Sequence, residues 1–139
     1  MMKLDKKGFT LIELMLVEII IGILVAMVVP RLAGRAEQAR TAAAQADIEA
    51  NISSALDLYE LDNGSYPTTE EGMEALLVKP ASAINWMGPY LKKKPLDPWG
   101  NPYVYKSPGT HSVDYDLYSY GKNGVEGGDD DVTNWDEAS

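Results

Sequence analysis

The chain has 139 residues, about the length of one domain, which excludes a multidomain enzyme. Twelve Lys and Arg against 21 Asp and Glu give a net charge of -9, which argues against nucleic acid as a partner. Cysteine is absent and there is one His. A disulfide framework, a thiolate zinc site, a cysteine nucleophile and a multi-histidine metal site are therefore excluded.

The first predicted element is an apolar run of 21 residues, 9–29, which Pro30 follows. As a helix it would be about 31 Å long, close to the thickness of a bilayer core. It is longer than the apolar stretch of a cleaved secretory signal, and nothing else in so short a chain could enclose a helix that is apolar on all sides. Residues 9–30 are therefore predicted to form a retained membrane anchor. Charge leaves its orientation open, because three Lys precede it and three Arg follow it.

Glu13 is the most informative residue of this run. A carboxylate inside a bilayer costs about 2.5–3.5 kcal/mol, so it is expected to have a function and a partner. No Lys or Arg lies nearby on its face, which leaves protonation, another chain, or a charge created by processing. A cut between Gly8 and Phe9 would create an α-amine, and the amine of one chain could neutralise the Glu13 carboxylate of its neighbour. Glu18 lies about 140° further round the helix and cannot face the same partner.

Residues 31–62 are predicted to continue as a helix, because Ala is frequent and Pro is absent between Pro30 and Pro67. Pro30 is expected to kink the helix, or to melt it locally, between Gly22 and Pro30. Gly64 suits a helix stop. The second half of the helix carries an apolar stripe that would pack on a globular domain. The stripe consists of Ile48, Ile52, Ala55, Leu56 and Tyr59.

The rest of the chain predicts short elements joined by turns. Thr68 and Glu71 resemble a capping box that would open a short helix over residues 70–78. Six prolines follow, and the best strand candidates are residues 103–105 and 115–120. The predicted fold class is α+β, with a long N-terminal helix packed on a small antiparallel β-sheet.

Residues 123–131, NGVEGGDDD, concentrate oxygen ligands on a glycine-rich loop after the last predicted strand. Ca²⁺ takes six to eight oxygens from carboxylates and backbone carbonyls, and glycine permits the tight loop that turns carbonyls inward. The lack of nitrogen and sulfur ligands disfavours Zn²⁺. The spacing is not that of an EF-hand, and a solvated acidic tail is the alternative.

Two groups of motifs resemble a known family. Residues 8–13, GFTLIE, after a short Lys-rich leader, are similar to the prepilin peptidase site of type IV pilins and type II secretion pseudopilins. The downstream motifs narrow the resemblance to the major pseudopilins of type II secretion. They are LDNGSYPTTEEG at 61–72, GPYLKK at 88–93, DPWGNPY at 97–103 and YDLYSYG at 115–121.

The resemblance implies a pilin-like fold in three segments. Residues 1–8 would be a leader that is removed on the cytoplasmic side. Residues 9–30 would be a transmembrane and filament-core helix. Residues 31–139 would be a periplasmic globular domain with a C-terminal calcium loop. The topology implied is a single pass through the bacterial inner membrane.

The resemblance also implies roles and partners. Prepilin peptidase would cut between Gly8 and Phe9, Phe9 would be N-methylated, and Glu13 would guide assembly. The chain would polymerise with copies of itself into a periplasmic pseudopilus that drives protein secretion across the outer membrane. Further partners would be minor pseudopilins, the inner-membrane assembly platform and the outer-membrane secretin.

A Ca²⁺ site in the acidic loop is a further implication of the resemblance. The family usually has Asp at the position of Asn123, so the site here would lose one negative charge while keeping an amide oxygen. The implied side-chain ligands are Asn123, Asp130 and Asp131, with backbone carbonyls from around Tyr120, Val125 and Glu126.

Two other functions compete with the pseudopilin. A type IV pilin of a surface filament, for adhesion, motility or DNA uptake, would usually carry a C-terminal disulfide, which this chain lacks. An enzyme would need a catalytic group, and the nearest candidates are Asp114 and Asp116, at alternate positions of a predicted strand. His111 has no nearby Ser or Cys in a catalytic setting, so we predict that the protein is not an enzyme.

Overall fold

The computed structural model describes residues 8–136, so the predicted leader lies outside the described residues except for its last residue. The chain divides into two compact units, Met1–Gln38 and Ala39–Ser139. Helical structure extends from Leu11 to Asn63. It consists of α1 (Leu11–Ala46), a π-helical turn (Asp47–Ile52) and α2 (Ser53–Asn63). A 3-10 helix (Gly72–Leu76) follows. The three strands come last: β1 (Val104–Lys106), β2 (Asp116–Ser119) and β3 (Val132–Thr133).

The first unit is the apolar part of α1, and it continues as an α-helix through Pro30. Of the two alternatives predicted between Gly22 and Pro30, local melting is wrong for this structure, and a kink stays a prediction. Proline removes one backbone donor, but its fixed φ is itself helical, and the remaining hydrogen bonds of the turn suffice to keep the helix. The helix is long and apolar enough to cross a membrane, and none of its most apolar 18-residue stretch is buried.

The second unit packs the predicted helical stripe into its core. All five stripe residues are buried, and α2 ends at Gly64 in the left-handed conformation, with φ 83°. The core also takes aromatic and aliphatic side chains from the 3-10 helix and the sheet. These are Met73, Ala75, Leu76, Tyr103, Tyr105, Tyr115, Leu117 and Val132. The whole hydrophobic core therefore lies within Ala39–Ser139.

A π-turn over Asp47–Ile52 interrupts the α-helical hydrogen bonding. The prediction over residues 31–62 was a helix, without this wider turn. The wider turn keeps Ile48 and Ile52, four residues apart, both on the buried face. The Ser53 hydroxyl donates to the Ile48 carbonyl, and the Tyr115 hydroxyl donates to Ser53 Oγ at 3.1 Å. The Ser53 side chain, directly after the wide turn, thus satisfies a carbonyl near the start of the turn.

The predicted capping box is confirmed. The Thr68 N–H donates to Glu71 Oε2 at 3.0 Å, and the Glu71 N–H donates to Thr68 Oγ1 at 3.3 Å. The box closes the turn over residues 68–71. The helix predicted over 70–78 is wrong in its bounds and type, because the 3-10 helix Gly72–Leu76 follows this turn and has no side-chain cap of its own.

The sheet is antiparallel, with strand order β1-β2-β3. Tyr105 pairs with Leu117 in the first ladder, and Ser119 pairs with Val132 in the second. Both predicted strand regions are confirmed, whereas β3 was not predicted. The α+β fold class, a long helix packed on a small antiparallel sheet, is confirmed.

Candidate functional site: the processed N-terminus and the acidic loop

The residues of the predicted cleavage site precede α1. Gly8, Phe9 and Thr10 are exposed and non-helical, so the Gly8–Phe9 peptide is not part of the helical hydrogen bonding. The Thr10 N–H donates to Glu13 Oε2 at 2.8 Å, and the Glu13 N–H donates to Thr10 Oγ1 at 3.3 Å. Glu13 therefore closes a reciprocal capping box at the start of α1.

This local partner of Glu13 was missed in the sequence. The T-x-x-E spacing that identified Thr68 and Glu71 is also present at Thr10 and Glu13. Because Glu13 lies in an apolar run, the prediction considered the cost of its charge in a bilayer and not its position in the first turn of a helix. In the single chain, Glu13 accepts a backbone N–H of its own helix.

The acidic loop brings two of the predicted metal ligands into direct contact. The Asn123 N–H donates to Asp130 Oδ2 at 2.8 Å, and Asn123 Nδ2 donates to Asp130 Oδ1 at 2.6 Å. The same Nδ2 donates to the Gly127 carbonyl at 3.1 Å. Asn123 Oδ1 accepts the Val125 N–H at 2.8 Å. The amide of Asn123 thus joins both sides of the loop.

Asp131 is the third predicted side-chain ligand, and only one of its oxygens is satisfied. Its Oδ2 accepts the Gly127 N–H at 2.8 Å, while its Oδ1 is buried and has no hydrogen-bond partner among residues 8–136. A buried carboxylate oxygen without a donor is costly, and a cation would compensate it. Three or more His, Cys, Asp or Glu residues placed to hold a metal do not occur together within residues 8–136. A metal here would therefore depend on amide and carbonyl oxygens, as a Ca²⁺ shell allows.

The three backbone ligands implied for the shell surround this contact in sequence. Tyr120 is half-buried at the end of β2, and Val125 and Glu126 are exposed in the loop itself. The orphaned Asp131 oxygen and the all-oxygen donor set fit a hard cation such as Ca²⁺.

A buried carboxylate that the sequence did not single out holds the start of the loop. Asp97 is 4% exposed, and its Oδ1 accepts the Trp99 and Asn101 N–H groups at 3.1 and 2.8 Å. The Ser119 hydroxyl donates to Asp97 Oδ2 at 2.6 Å and itself accepts the Gly121 N–H at 3.0 Å. Asp97 therefore ties the turn before β1 to the residue that opens the acidic loop.

Gly121 is required at that position for two reasons. Its φ is 65°, in the left-handed region, and a Cβ there would lie 2.0 Å from the Asp130 carbonyl oxygen. The two ends of the acidic loop thus approach each other where only glycine fits.

Asp116 is a second buried carboxylate, 1% exposed, and it organises the turn before β2. It accepts the Thr110 and Ser112 N–H groups at 2.8 Å each and the Thr110 hydroxyl at 2.7 Å. His111 contributes its N–H at 3.1 Å and its Nδ1 at 3.0 Å. Burial raises the pKa of Asp116, but hydrogen bonds from Ser112, Thr110 and His111 outweigh it and hold the pKa well below its ordinary value.

The supposed pair of Asp114 and Asp116 is not a catalytic pair. Asp114 is exposed and lies before β2, whereas Asp116 is buried and occupied by the adjacent turn. The His111 ring stacks on Trp135 with centroids 4.2 Å apart. These residues therefore anchor the segment after β3 rather than form a cleft for a substrate.

A long apolar N-terminal helix, exposed in the single chain, leads into a helix that packs on a small antiparallel sheet with an acidic loop after its second strand. These features define a pilin-like, helix-anchored subunit. The family described as "Type II secretion system (T2SS), protein G" matches residues 31–135, and the "Prokaryotic N-terminal methylation motif" matches residues 3–29.

Relatives and a solved structure agree with this class. The chain is 51% identical over 143 aligned residues to the type II secretion system core protein G of Pseudomonas aeruginosa, covering 98% of this chain and 99% of that protein. It is 48% identical over 135 residues to the core protein G of Escherichia coli, covering 94% and 91%. The crystal structure of the major pseudopilin of enterohaemorrhagic Escherichia coli matches with a TM-score of 0.67 and 40% identity, covering 75% of this chain and 89% of that one.

The chain belongs to the type II secretion system protein G family, the major pseudopilins. The predicted resemblance is confirmed, and with it the role of a major pseudopilin rather than of a surface pilin. The family is one of structural subunits, so the prediction that the chain is not an enzyme is also confirmed.

Proposed function

We propose that this major pseudopilin is the repeating subunit of a periplasmic pseudopilus that drives secreted proteins through the outer membrane. The observation that carries the proposal is the separation of the chain into two parts. The hydrophobic core of the described residues is contained in Ala39–Ser139, while the large apolar side chains of α1 between Leu11 and Leu32 are exposed. An apolar helical segment that the other described residues leave exposed needs a bilayer before assembly and other copies of itself afterwards.

Processing at the N-terminus converts the membrane form into the filament form. Prepilin peptidase cuts between Gly8 and Phe9, and Phe9 is then N-methylated; the methylation motif over residues 3–29 supports both steps. The new amine lies four residues before Glu13. In the filament, the amine of one subunit replaces part of the local capping of Glu13 in its neighbour, which neutralises the buried carboxylate.

The location and partners follow from the same route. The leader stays on the cytoplasmic side of the inner membrane, α1 crosses it once, and the globular domain lies in the periplasm. The proposed partners are further copies of the chain, minor pseudopilins, the inner-membrane assembly platform and the outer-membrane secretin.

Mass spectrometry of the mature chain tests the processing step. The expected N-terminus is a methylated Phe9, and an intact Met1 in cells that contain prepilin peptidase would contradict the proposal. Deletion of the gene is expected to abolish secretion and leave twitching motility unchanged. The opposite phenotype would assign the filament to the cell surface.

A substitution at Glu13 separates its two roles. Glu13→Gln keeps the capping box, because Gln caps as Glu does, but removes the negative charge. Filament assembly is measured by crosslinking between subunits, and it is expected to fail in Glu13→Gln. Glu18→Gln is the matched control, since it removes one acid from the same apolar run. Equal assembly by both variants would show that an ion pair at Glu13 is not needed.

Calcium binding by the acidic loop is the second part of the proposal. Asn123, Asp130 and Asp131 supply the side-chain oxygens, with backbone carbonyls from around Tyr120, Val125 and Glu126. The cation neutralises the acidic loop and compensates the orphaned Asp131 oxygen. The proposal is supported by the donor set and by that oxygen.

Thermal unfolding of residues 31–139 in Ca²⁺ and in chelator tests calcium binding. At about 100 times Kd, Ca²⁺ would add about 2.7 kcal/mol to the free energy of unfolding. Asp131→Asn is expected to lose most of this gain. Asp129→Asn is the control, because Asp129 is exposed in the same loop and its φ of 62° suits Asn. Identical melting curves of the wild type in Ca²⁺ and in chelator would refute the site.

A further inference from the structure

The surface of α1 directly after the apolar run carries two exposed arginines. Arg31 and Arg35 are the only charged residues between Glu18 and Glu37, and both are exposed. Within the described range 8–136, neither guanidinium forms an ion pair. A chain with a net charge of -9 thus carries a local charge of +2 where its apolar run ends.

These arginines share one helix face with apolar residues. Val28, Arg31, Leu32 and Arg35 follow the spacing i, i+3, i+4 and i+7, which places them on neighbouring turns of one face. They line a groove of about 540 Å³. Gly34 also lines it, and its missing side chain leaves that edge open. The groove is therefore apolar on its N-terminal side and basic on its C-terminal side.

The depth of the arginines matches a phospholipid headgroup. Arg31 lies two residues beyond Val29 and Arg35 lies six beyond it, which is about 3 and 9 Å along a helix. The polar layer of one leaflet is roughly 5–8 Å thick. The long arginine side chains adjust their height within that layer while their stems remain against apolar groups. Guanidinium groups bind phosphate in a bidentate manner that ammonium groups do not.

We infer that Arg31 and Arg35 bind the phosphate of an anionic phospholipid, whose acyl chain lies along Val28 and Leu32. The inference rests on the membrane topology given under the proposed function. In that topology both arginines are on the translocated side of the membrane, where positive residues are disfavoured. A phosphate anion on that side would compensate their charge and explain why they can be located there. The lipid holds the subunit at a fixed depth in the outer leaflet until it enters the filament.

Lipid retention by the full chain tests the inference. The chain, purified in a neutral detergent, is mixed with equal amounts of phosphatidylglycerol and phosphatidylcholine, and bound lipid is measured by native mass spectrometry. The wild type is expected to retain phosphatidylglycerol preferentially. Each arginine near an anionic surface contributes about fivefold in affinity, so Arg31→Gln/Arg35→Gln is expected to lose roughly 25-fold. Replacement of both by Lys is expected to give an intermediate loss.

Controls distinguish the lipid site from other causes. Lys92→Gln/Lys93→Gln removes the same charge from exposed positions of the globular domain and is expected to keep the lipid preference. An equal loss in that variant would assign the effect to net charge and overturn the site. Displacement of the lipid by equimolar inorganic phosphate would assign it to free phosphate. Unchanged lipid retention with weaker crosslinking between chains would assign the arginines to a second copy.

A separate experiment tests whether the chain spans the membrane. Extraction of wild-type membranes with alkaline carbonate reports whether the chain spans the bilayer. Release of the chain would overturn the proposed topology itself. A chain that stays in the membrane but shows no preference for phosphatidylglycerol would overturn the lipid site alone.

Discussion

Replacement of Asp116 by Asn is expected to destabilise the globular domain strongly, although the two side chains have the same shape. The carboxylate is 1% exposed and accepts hydrogen bonds on both oxygens. Thr110 donates to one of them, Ser112 donates to the other, and His111 donates to both. In Asp116→Asn one oxygen becomes an NH₂ group, which must then face N–H donors.

The magnitude follows from the hydrogen bonds that are lost. A hydrogen bond to a charged group contributes about 1.5–3 kcal/mol, and an N–H left buried and unpaired costs a similar amount. We therefore expect a loss of about 3 kcal/mol in the free energy of unfolding at pH 7, and a fall of roughly 12–20 °C in Tm for a domain of this size. Urea and thermal unfolding of residues 31–139 measure both. Asp114→Asn removes the same charge two residues away from an exposed position, and it is expected to change Tm little.

The pH dependence gives an independent check of the same carboxylate. The pKa of Asp116 is lowered in the folded state, so its stabilising contribution is present above the ordinary Asp value of about 3.9 and is lost as the pH falls below it. The stability difference between wild type and Asp116→Asn is therefore expected to shrink as the pH falls from 5 to 2. A difference that is constant over this range, or an effect at pH 7 no larger than that of Asp114→Asn, would refute the reasoning.

Two further substitutions test the network around the core. Glu71→Ala removes the acceptor of the Thr68 N–H and of the Ser82 hydroxyl and is expected to cost about 1–2 kcal/mol in urea unfolding, whereas Glu70→Ala, at the exposed neighbouring position, is expected to have no effect. Equal effects of the two would contradict the capping box. Ser119→Ala leaves an oxygen of the buried Asp97 carboxylate without its donor and is expected to cost about 2 kcal/mol. An unfolding midpoint equal to that of the wild type would show that water replaces the hydroxyl.

Local patterns account for the parts of the fold that could be predicted. The buried stripe of the helix depends on residues three and four apart, and the capping box of Thr68 and Glu71 depends on residues three apart. Gly64 ends α2 because its own backbone favours the left-handed conformation. In each case the residues that decide the structure are neighbours in the sequence.

The parts that escaped prediction depend on contacts between distant residues. β3 has only two residues, and it is defined by its pairing with β2 rather than by its own composition. The Asp97 carboxylate binds Ser119, 22 residues away, so its burial could not be read from the surrounding DPWG turn. Of the acidic loop, composition indicated the oxygen donors, but not that Asp131 alone would keep a buried oxygen without a donor.

The π-turn depends both on a residue close in the sequence and on a residue far from it. Its position depends on Ser53, five residues from the carbonyl to which it donates, and on Tyr115, 62 residues away. Because the Tyr115 hydroxyl donates to Ser53, the two side chains are expected to act as one unit rather than independently.

A double-mutant cycle tests that coupling. Ser53→Ala removes the donor to Ile48 and leaves the hydroxyl of the buried Tyr115 without a partner, at an expected cost of about 2 kcal/mol in the free energy of unfolding. Tyr115→Phe removes only that hydroxyl and is expected to cost about 1 kcal/mol. In the double variant no unpaired hydroxyl remains, so its loss is expected to fall about 1 kcal/mol short of the sum. Additive losses would show that the two hydroxyls do not cooperate in stabilising the π-turn.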